Sequence, residues 1–336
     1  MPKGFFTQGL AVLLEENIPL DEVAALLANF PIIRRIDTPE VGWEMSGPAV
    51  LLAFRPEVRG TVTVDVVDRP WPDDMGHPQT APDLFAAWGM GYFGPGTYPG
   101  GLQRAVQQSW RWEGAEEAVG RHRAFVRIRC TYAIGAAPDA PVIPEGYDPV
   151  EELRYLTSVM QTLLKHPKAI CHFNPVGEVL LPPTLCRELI DHNTRHDLPF
   201  LDLWTNVRMF RIGDGWLLMD SIGNSQVDRQ DHEVAFPEDD FQPQDVDLFI
   251  RNLSLYLLEK GPVIQDGDTT DGPGDARWQA RELSEGVSSP PRNLLRWLPE
   301  GVSGVPEALR GGGQDAEDEA ENGGNGKAGK PWWKVW

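Results

Sequence analysis

Several stretches of this chain hold residue types that could carry chemistry. The first is GMGYFG, residues 89–94, which has the Gly-x-Gly-x-x-Gly spacing of a dinucleotide cradle. Such a cradle needs a strand feeding its first glycine and a helix starting at its last, so that helical amides hold the pyrophosphate. Here PDLFAAW before Gly89 reads as helix, and GPGTYPGG after it cannot start one. No phosphate-binding lysine follows, the nearest basic residue being Arg104. The glycines alternate instead with Trp88, Tyr92, Phe93 and Tyr98. Glycines between aromatics let a loop fold over its own rings or contact a ligand. The expectation is a structural loop whose four rings are candidate binding residues, with no cofactor.

The second stretch, DVVDRPWPDDMGHP, carries Asp65, Asp68, Asp73, Asp74 and His77. Carboxylates and an imidazole at a strand end could bind a divalent ion or act as acid and base. Their spacing matches no zinc or calcium signature, so no metal is expected. The plainer expectation is a structural corner of Asp68, Arg69 and Trp71, with Arg127 and Arg129 as charge partners for Asp68 and with Asp73 and Asp74 solvated. His192 and His196, four apart in HNTRH, would share a helix face, but a solvated helix end explains them. Cys171 and His172 are adjacent in a strand and point to opposite faces. Ser221, Asp220, Asp228, Asp231 and His232 follow a hairpin without the Gly-x-Ser-x-Gly elbow of a serine hydrolase. QDGDTTDGPGD, with Asp266, Asp268, Asp271 and Asp275, lacks the distal glutamate of a calcium loop and reads as turns.

The elements that must position these residues follow from periodicity. LAVLL, PIIRRI, AVLLAF, TVTVDVV and AFVRIRCTY read as strands. In the last of these, Val126, Ile128, Cys130 and Tyr132 face one way and Arg127 and Arg129 the other. The spacing predicts one wet face and therefore an antiparallel sheet. Asp148 is a natural N-cap for a helix with Pro149 in its first turn, and Val150, Leu153, Leu156, Met160, Leu163 and Leu164 form its apolar stripe. NVRMFRIGDGWLLMDSI predicts a hairpin turning at 213–215. DVDLFIRNLSLYLLEKG predicts a helix ending at Gly261.

Strands in clusters with helices between them point to an α+β fold with mostly antiparallel sheets. The expected organisation is two similar halves, 1–140 and 141–283, sharing an interface, with one compact domain formed by both as the alternative. A flexible, acidic, Gly-rich linker is expected over 284–330, ending in a Trp-rich peptide over 331–336. That peptide, PWWKVW, framed by Lys330 and Lys334, suits a hydrophobic groove with a charged rim. Trp332, Trp333 and Trp336 are candidate binding residues, with a groove on a partner protein as the favoured receptor. Docking on the chain's own domain or weak contact with a membrane surface are the alternatives.

Composition narrows the partners. The chain has 336 residues and a formal net charge of −20, which repels a phosphate backbone or an anionic membrane. Nucleic acid is not expected. The three cysteines, Cys130, Cys171 and Cys186, are too few and scattered for a disulfide framework. No stretch approaches the roughly 18 apolar residues of a membrane span, and MPKGFFTQGLAVLLEEN does not read as a signal peptide. A cytoplasmic location follows.

Taken together, GFFTQG, DVVDRPWPDDMG, HRAFVRIR, LDLWTNVRMFRI and LYLLEKGPVIQDGDTTDGPG resemble the bacterial family called domain of unknown function 4261, over about residues 4–280. The resemblance implies a bacterial cytoplasmic α+β protein and assigns no activity and no catalytic residue. The expected function is a non-enzymatic protein-binding module, antidote- or adaptor-like, with an aromatic docking peptide and another protein as partner. The alternative is a hydrolase-like enzyme using the Asp65–His77 cluster.

Overall fold

Two sheets, each with helices against its faces, take up nearly all the strand-forming runs. The structure, a computed structural model, describes residues 3–137, 139–213 and 215–310. The first sheet draws on β1 (Gln8–Leu14), β2 (Ile32–Ile36), β3 (Ala49–Ala53), β4 (Thr61–Val67), β5 (Ala124–Thr131), β6 (Ala169–Asn174) and β7 (Val179–Leu181). Its order is β2-β3-β4-β5-β1-β6-β7, with antiparallel pairing throughout the described residues. Helices α1 (Leu20–Leu26), α2 (Pro82–Gly89), α3 (Gly101–Gln107), α4 (Ala115–Gly120), α5 (Pro149–Leu163), α6 (Pro183–Arg195) and α7 (Leu201–Trp204) connect these strands and lead out of the sheet.

Successive side chains of a strand point to opposite faces, and β1 shows the result. Leu10, Val12 and Leu14 join Val23, Leu153, Leu156 and Ile190 in one core. Ala11 and Leu13 join Trp71, Ala87, Leu102 and Val119 in another on the opposite face. The sheet is therefore covered on both sides. Helix α5 forms as its sequence predicts: Asp148 accepts hydrogen bonds from the amides of Val150 (2.8 Å) and Glu151 (3.2 Å), and Pro149 opens the helix.

The second sheet draws on β8 (Asn206–Gly213), β9 (Trp216–Ile222), β10 (Asp231–Pro237), β11 (Thr269–Asp271), β12 (Arg277–Leu283) and β13 (Leu294–Pro299), in the order β11-β12-β13-β10-β9-β8. Only its β10–β13 pairing is parallel among the described residues. Helix α8 (Pro243–Lys260) covers one face through Val246, Phe249, Ile250 and Leu257, ending at Gly261 as expected. Helix α9 (Glu307–Arg310) sets Leu309 against Trp216, Leu218 and Ala235 on the other. The molecule is α+β with mostly antiparallel sheets.

Four expectations need correction. The face carrying Arg127 and Arg129 is not wet: the two side chains are only 1% and 2% exposed, because a buried carboxylate pairs with both and backbone carbonyls accept further hydrogen bonds from them. The boundary between halves does not fall at 140, since β6 pairs with β1 inside the first sheet and α5 packs on it. The halves are not similar either, because their strand orders differ. Lastly, the chain beyond 283 does not become a linker at once. Strand β13 lies between β12 and β10 with Leu294, Leu295 and Trp297 buried, a short strand that the surrounding polar, proline-rich composition conceals. Residues 311–336, including the Trp-rich peptide, lie outside the described residues.

Candidate functional site

The glycine–aromatic loop begins where α2 runs out. The helix runs into Gly89, so no strand feeds the first glycine. Gly91, Gly94 and Gly96 take positive φ of 70°, 121° and 75°, turning the chain back over the first sheet. The loop approaches that sheet so closely that a Cβ on Gly9 of β1 would stand 3.0 Å from the Gly94 Cα. Glycine is needed on both sides of this contact.

Underneath lies a buried ion cluster. Asp65 of β4 stands opposite Arg127 of β5. Its carboxylate meets the Arg127 guanidinium at 2.6 Å and the Arg129 guanidinium at 3.0 Å, and accepts the Gly47 amide at 3.0 Å. The Tyr92 carbonyl caps the cluster, accepting from Arg129 at 3.1 Å and from Arg127 at 3.4 Å. Arg129 lies 4.1 Å from the Phe6 ring centre. Burial alone would push the Asp65 carboxyl up; the two guanidiniums and the Gly47 amide outweigh it and hold Asp65 below its ordinary range. Burial, with Arg127 beside it, brings Arg129 down to about 9, which leaves it charged at neutral pH.

The four loop aromatics divide. Trp88 and Phe93 are buried, their rings 4.7 Å apart and tilted by 31°, and Trp71 packs on Phe93, Phe125 and Phe173. Tyr92 is half-buried, its ring parallel to Phe5 at 6.1 Å and edge-on to Phe6 at 5.3 Å. Tyr98 donates its hydroxyl to the Pro291 carbonyl at 3.3 Å and so ties the loop to the approach to β13. Phe5, Phe6, Trp88, Met90, Tyr92 and the glycines line a groove of about 480 Å³, with Phe5 41% and Met90 45% exposed at its mouth.

The Asp65–His77 cluster is dispersed. Asp65 is paired as above, and Asp68 and Arg69 are exposed, Arg69 lying 5.1 Å from the Trp43 ring centre. The carboxylate that pairs with Arg127 and Arg129 is thus Asp65 rather than Asp68. Asp73 accepts the amides of Leu102 and Gln103 at 2.8 Å each, capping the start of α3 instead of facing solvent. Asp74 accepts the Gly76 amide, and His77 Nδ1 accepts the Gln79 amide. Among the described residues no group of three or more His, Cys, Asp or Glu side chains could hold a metal ion.

The remaining candidates are also engaged. Ser221 donates to Asp231 at 3.1 Å, while the His232 imidazole faces the Trp297 indole, which donates to its Nδ1 at 3.3 Å. Serine and imidazole therefore form no dyad. Burial lowers His232 to about 3 and His172, bonded to the Leu203 carbonyl, to about 4. The His192 and His196 rings lie 4.6 Å apart, tilted by 48°, at the exposed end of α6. All three cysteines are free and buried.

Two polar centres give no sequence signal, because their members are scattered along the chain. One is a ladder of charges: Arg104 to Glu178 (2.6 Å), Glu178 to Arg208 (2.9 Å), Arg208 to Asp220 (2.6 Å), Asp220 to Arg292 (2.6 Å) and Arg292 to Asp231 (3.3 Å). It joins α3 and the β6–β7 turn to β8, β9 and β10. Ser288 also donates to Asp220. Burial opposes the Asp220 charge, but Arg208 and Arg292 win and lower its carboxyl; at Glu178 burial wins and the carboxyl rises. The other centre is Glu152 of α5, fully buried, accepting from Thr7 at 2.9 Å and near the Cys130 thiol. Glu152 Oε2, the Tyr132 and Tyr147 hydroxyls and Gln8 Oε1 have no hydrogen-bond partner among the described residues. Burial raises the Glu152 carboxyl above its ordinary range.

Residues 220–298, from within β9 to within β13, match the family described as Domain of unknown function (DUF4261). The matched family is the one the sequence resembles, and the matched segment is most of the second sheet with α8. The glycine–aromatic loop lies outside it. No curated protein and no solved structure matches the chain.

Proposed function

We propose that this chain, which carries a DUF4261 match over 220–298, is a non-enzymatic protein-binding module of the bacterial cytoplasm that grips another protein through the glycine–aromatic groove. The observation that carries this reading is the groove itself: exposed Phe5 and Met90 line it with Tyr92, whose backbone carbonyl is fixed by a buried ion cluster. Aromatic anchors on a rigid base supply most of the energy of an interface while losing little side-chain freedom. The partner inserts an apolar side chain between Phe5 and Met90. Its surroundings are basic, since this chain carries −20. The side chains an enzyme would need are occupied with structural bonds: Asp65 to two arginines, Asp73 to helix amides, His232 to an indole. Among the described residues no helix is long and apolar enough to cross a membrane. The aromatic stretch with Trp332, Trp333 and Trp336 is a second docking element of the same module.

The test is cross-linking in the native host, followed by reconstitution of the captured partner with purified full-length protein. Phe5→Ser with Met90→Ser should weaken the reconstituted complex by roughly 30-fold, the loss expected of a hot-spot pair, with the melting temperature little changed. A partner whose affinity ignores both substitutions removes the groove from the reading.

A further inference from the structure

A second cleft, of about 500 Å³, opens between α8 and the β11 strand, inside the segment that matches the family. Its floor is apolar, with Phe249, Leu253 and Trp297 beneath Ile264. Tyr256 (47% exposed) and Val263 stand at its mouth. The charged side chains lining it are Asp268 and Asp271, both acidic. The glycine–aromatic groove, by contrast, is lined by no charged side chain among the described residues. An apolar cleft with a carboxylate rim fits an aromatic segment that carries lysines.

The chain contains such a segment: Lys330-Pro331-Trp332-Trp333-Lys334-Val335-Trp336. We infer that this segment docks in the α8–β11 cleft of its own chain, its indoles on the exposed Tyr256 ring and the Val263 and Ile264 side chains and its lysines toward Asp268 and Asp271. The sequence alone favours a partner's groove for these tryptophans; the cleft supplies a receptor of matching shape and charge on the same chain. Reach permits it. Residues 311–329 span roughly 65 Å at full extension, against a radius of gyration of roughly 20 Å for a fold of this size. Helix α9 lies on the face of the second sheet opposite α8, so that length must also cover the way around the sheet edge, and it does. Burial of the indoles against Tyr256 and its apolar neighbours supplies the affinity and the lysine–carboxylate pairs set the orientation. The inference identifies the receptor of the second docking element and leaves the glycine–aromatic groove to the partner.

The test uses full-length protein and a fluorescein-labelled GKPWWKVW peptide followed by anisotropy. A W332A/W333A/W336A variant, its own segment disabled, should bind the peptide at least tenfold more tightly than the wild-type chain, whose cleft is filled. Adding Asp268→Lys and Asp271→Lys should then weaken the peptide at least tenfold, and Asp268→Asn with Asp271→Asn should do so in part if the lysine variant fails to fold. No binding to the triple variant, equal binding to both chains, or binding that ignores the aspartates overturns the inference. So does a peptide displaced by Phe5→Ser, which would move it to the other groove. A concentration-dependent dimer in light scattering that the triple variant abolishes shows docking on a second copy and overturns docking in cis.

Discussion

At the residue scale, two buried carboxyls respond to pH with opposite sign. Asp65 sits below its ordinary range in the fold, so between that value and the unfolded value near 3.9 the unfolded chain binds more protons. Its contribution is present above about pH 4 and is lost as pH falls through the folded value. Asp65→Asn leaves two buried guanidiniums without a counter-charge and should cost about 3–5 kcal/mol in urea unfolding at neutral pH, with a shallower loss of stability in acid. An unchanged midpoint would show that the cluster adds nothing. Glu152 behaves the other way. Its folded value is raised by burial, so its contribution is complete below the unfolded value near 4.3 and is lost as pH rises through the folded one. Glu152→Gln, neutral throughout, should flatten the fall in melting temperature above pH 4 and match or exceed wild type at pH 8. If the two melting curves run parallel from pH 4 to 8, Glu152 is not the group that titrates.

At the element scale, the β6–β7 turn, α7 and the turn after β9 meet at one carbonyl. A Cβ on Gly177 would stand 1.9 Å from the Trp204 oxygen, and one on Gly223 2.4 Å from it. That oxygen accepts from Gln226 at 2.7 Å and Asn174 at 3.2 Å, while the Trp204 indole donates to Thr157 at 3.0 Å. Gly177→Ala must push backbone apart and should destabilise by about 2–3 kcal/mol. Gly120→Ala, at the end of α4 with nothing within 4 Å, should be neutral or slightly stabilising. Equal effects of the two substitutions in chemical denaturation would rule out crowding as the cause. The helices that carry their own signals were legible: Asp148 and Pro149 mark the start of α5, and Gly261 the end of α8. Arg127 and Arg129 misled because alternation reports chemical type, and only the distant Asp65 decides whether a charge can be buried. Nothing in the local sequence around Gly177 announces the oxygen it must avoid. The loop aromatics were legible as a group, but which rings face outward depends on Phe5 and Phe6, which reach them from the other end of the first sheet's sequence.

At the scale of the whole molecule, the two sheets are joined by polar bonds. The ladder from Arg104 to Asp231 runs between them, and the Gln108 side chain bonds both the amide (3.1 Å) and carbonyl (3.3 Å) of Met209 on the edge strand β8. The wild-type chain should therefore unfold in a single calorimetric transition whose van't Hoff and calorimetric enthalpies agree. Arg208→Ala, which breaks the ladder at its middle, should resolve it into two. A single, merely shifted transition would mean that the sheets share a folding unit without the ladder. That architecture was hidden from the sequence because its charges come from six separate segments.

The position of β13 has a consequence for how the chain is made. Its slot between β12 and β10 is flanked by strands synthesised earlier, and β10 pairs with it in parallel. A growing chain that has emerged only as far as β12 thus has two half-finished layers with open hydrogen-bonding edges and no strand to close them. Open edges of that kind recruit other chains. The seam closes only when Leu294–Pro299 arrives, so the second sheet is sealed from its middle by the last of the described strands to leave the ribosome. A stalled or clipped product ending before Leu294 would carry that open seam into a crowded cell, where quality control would meet it first.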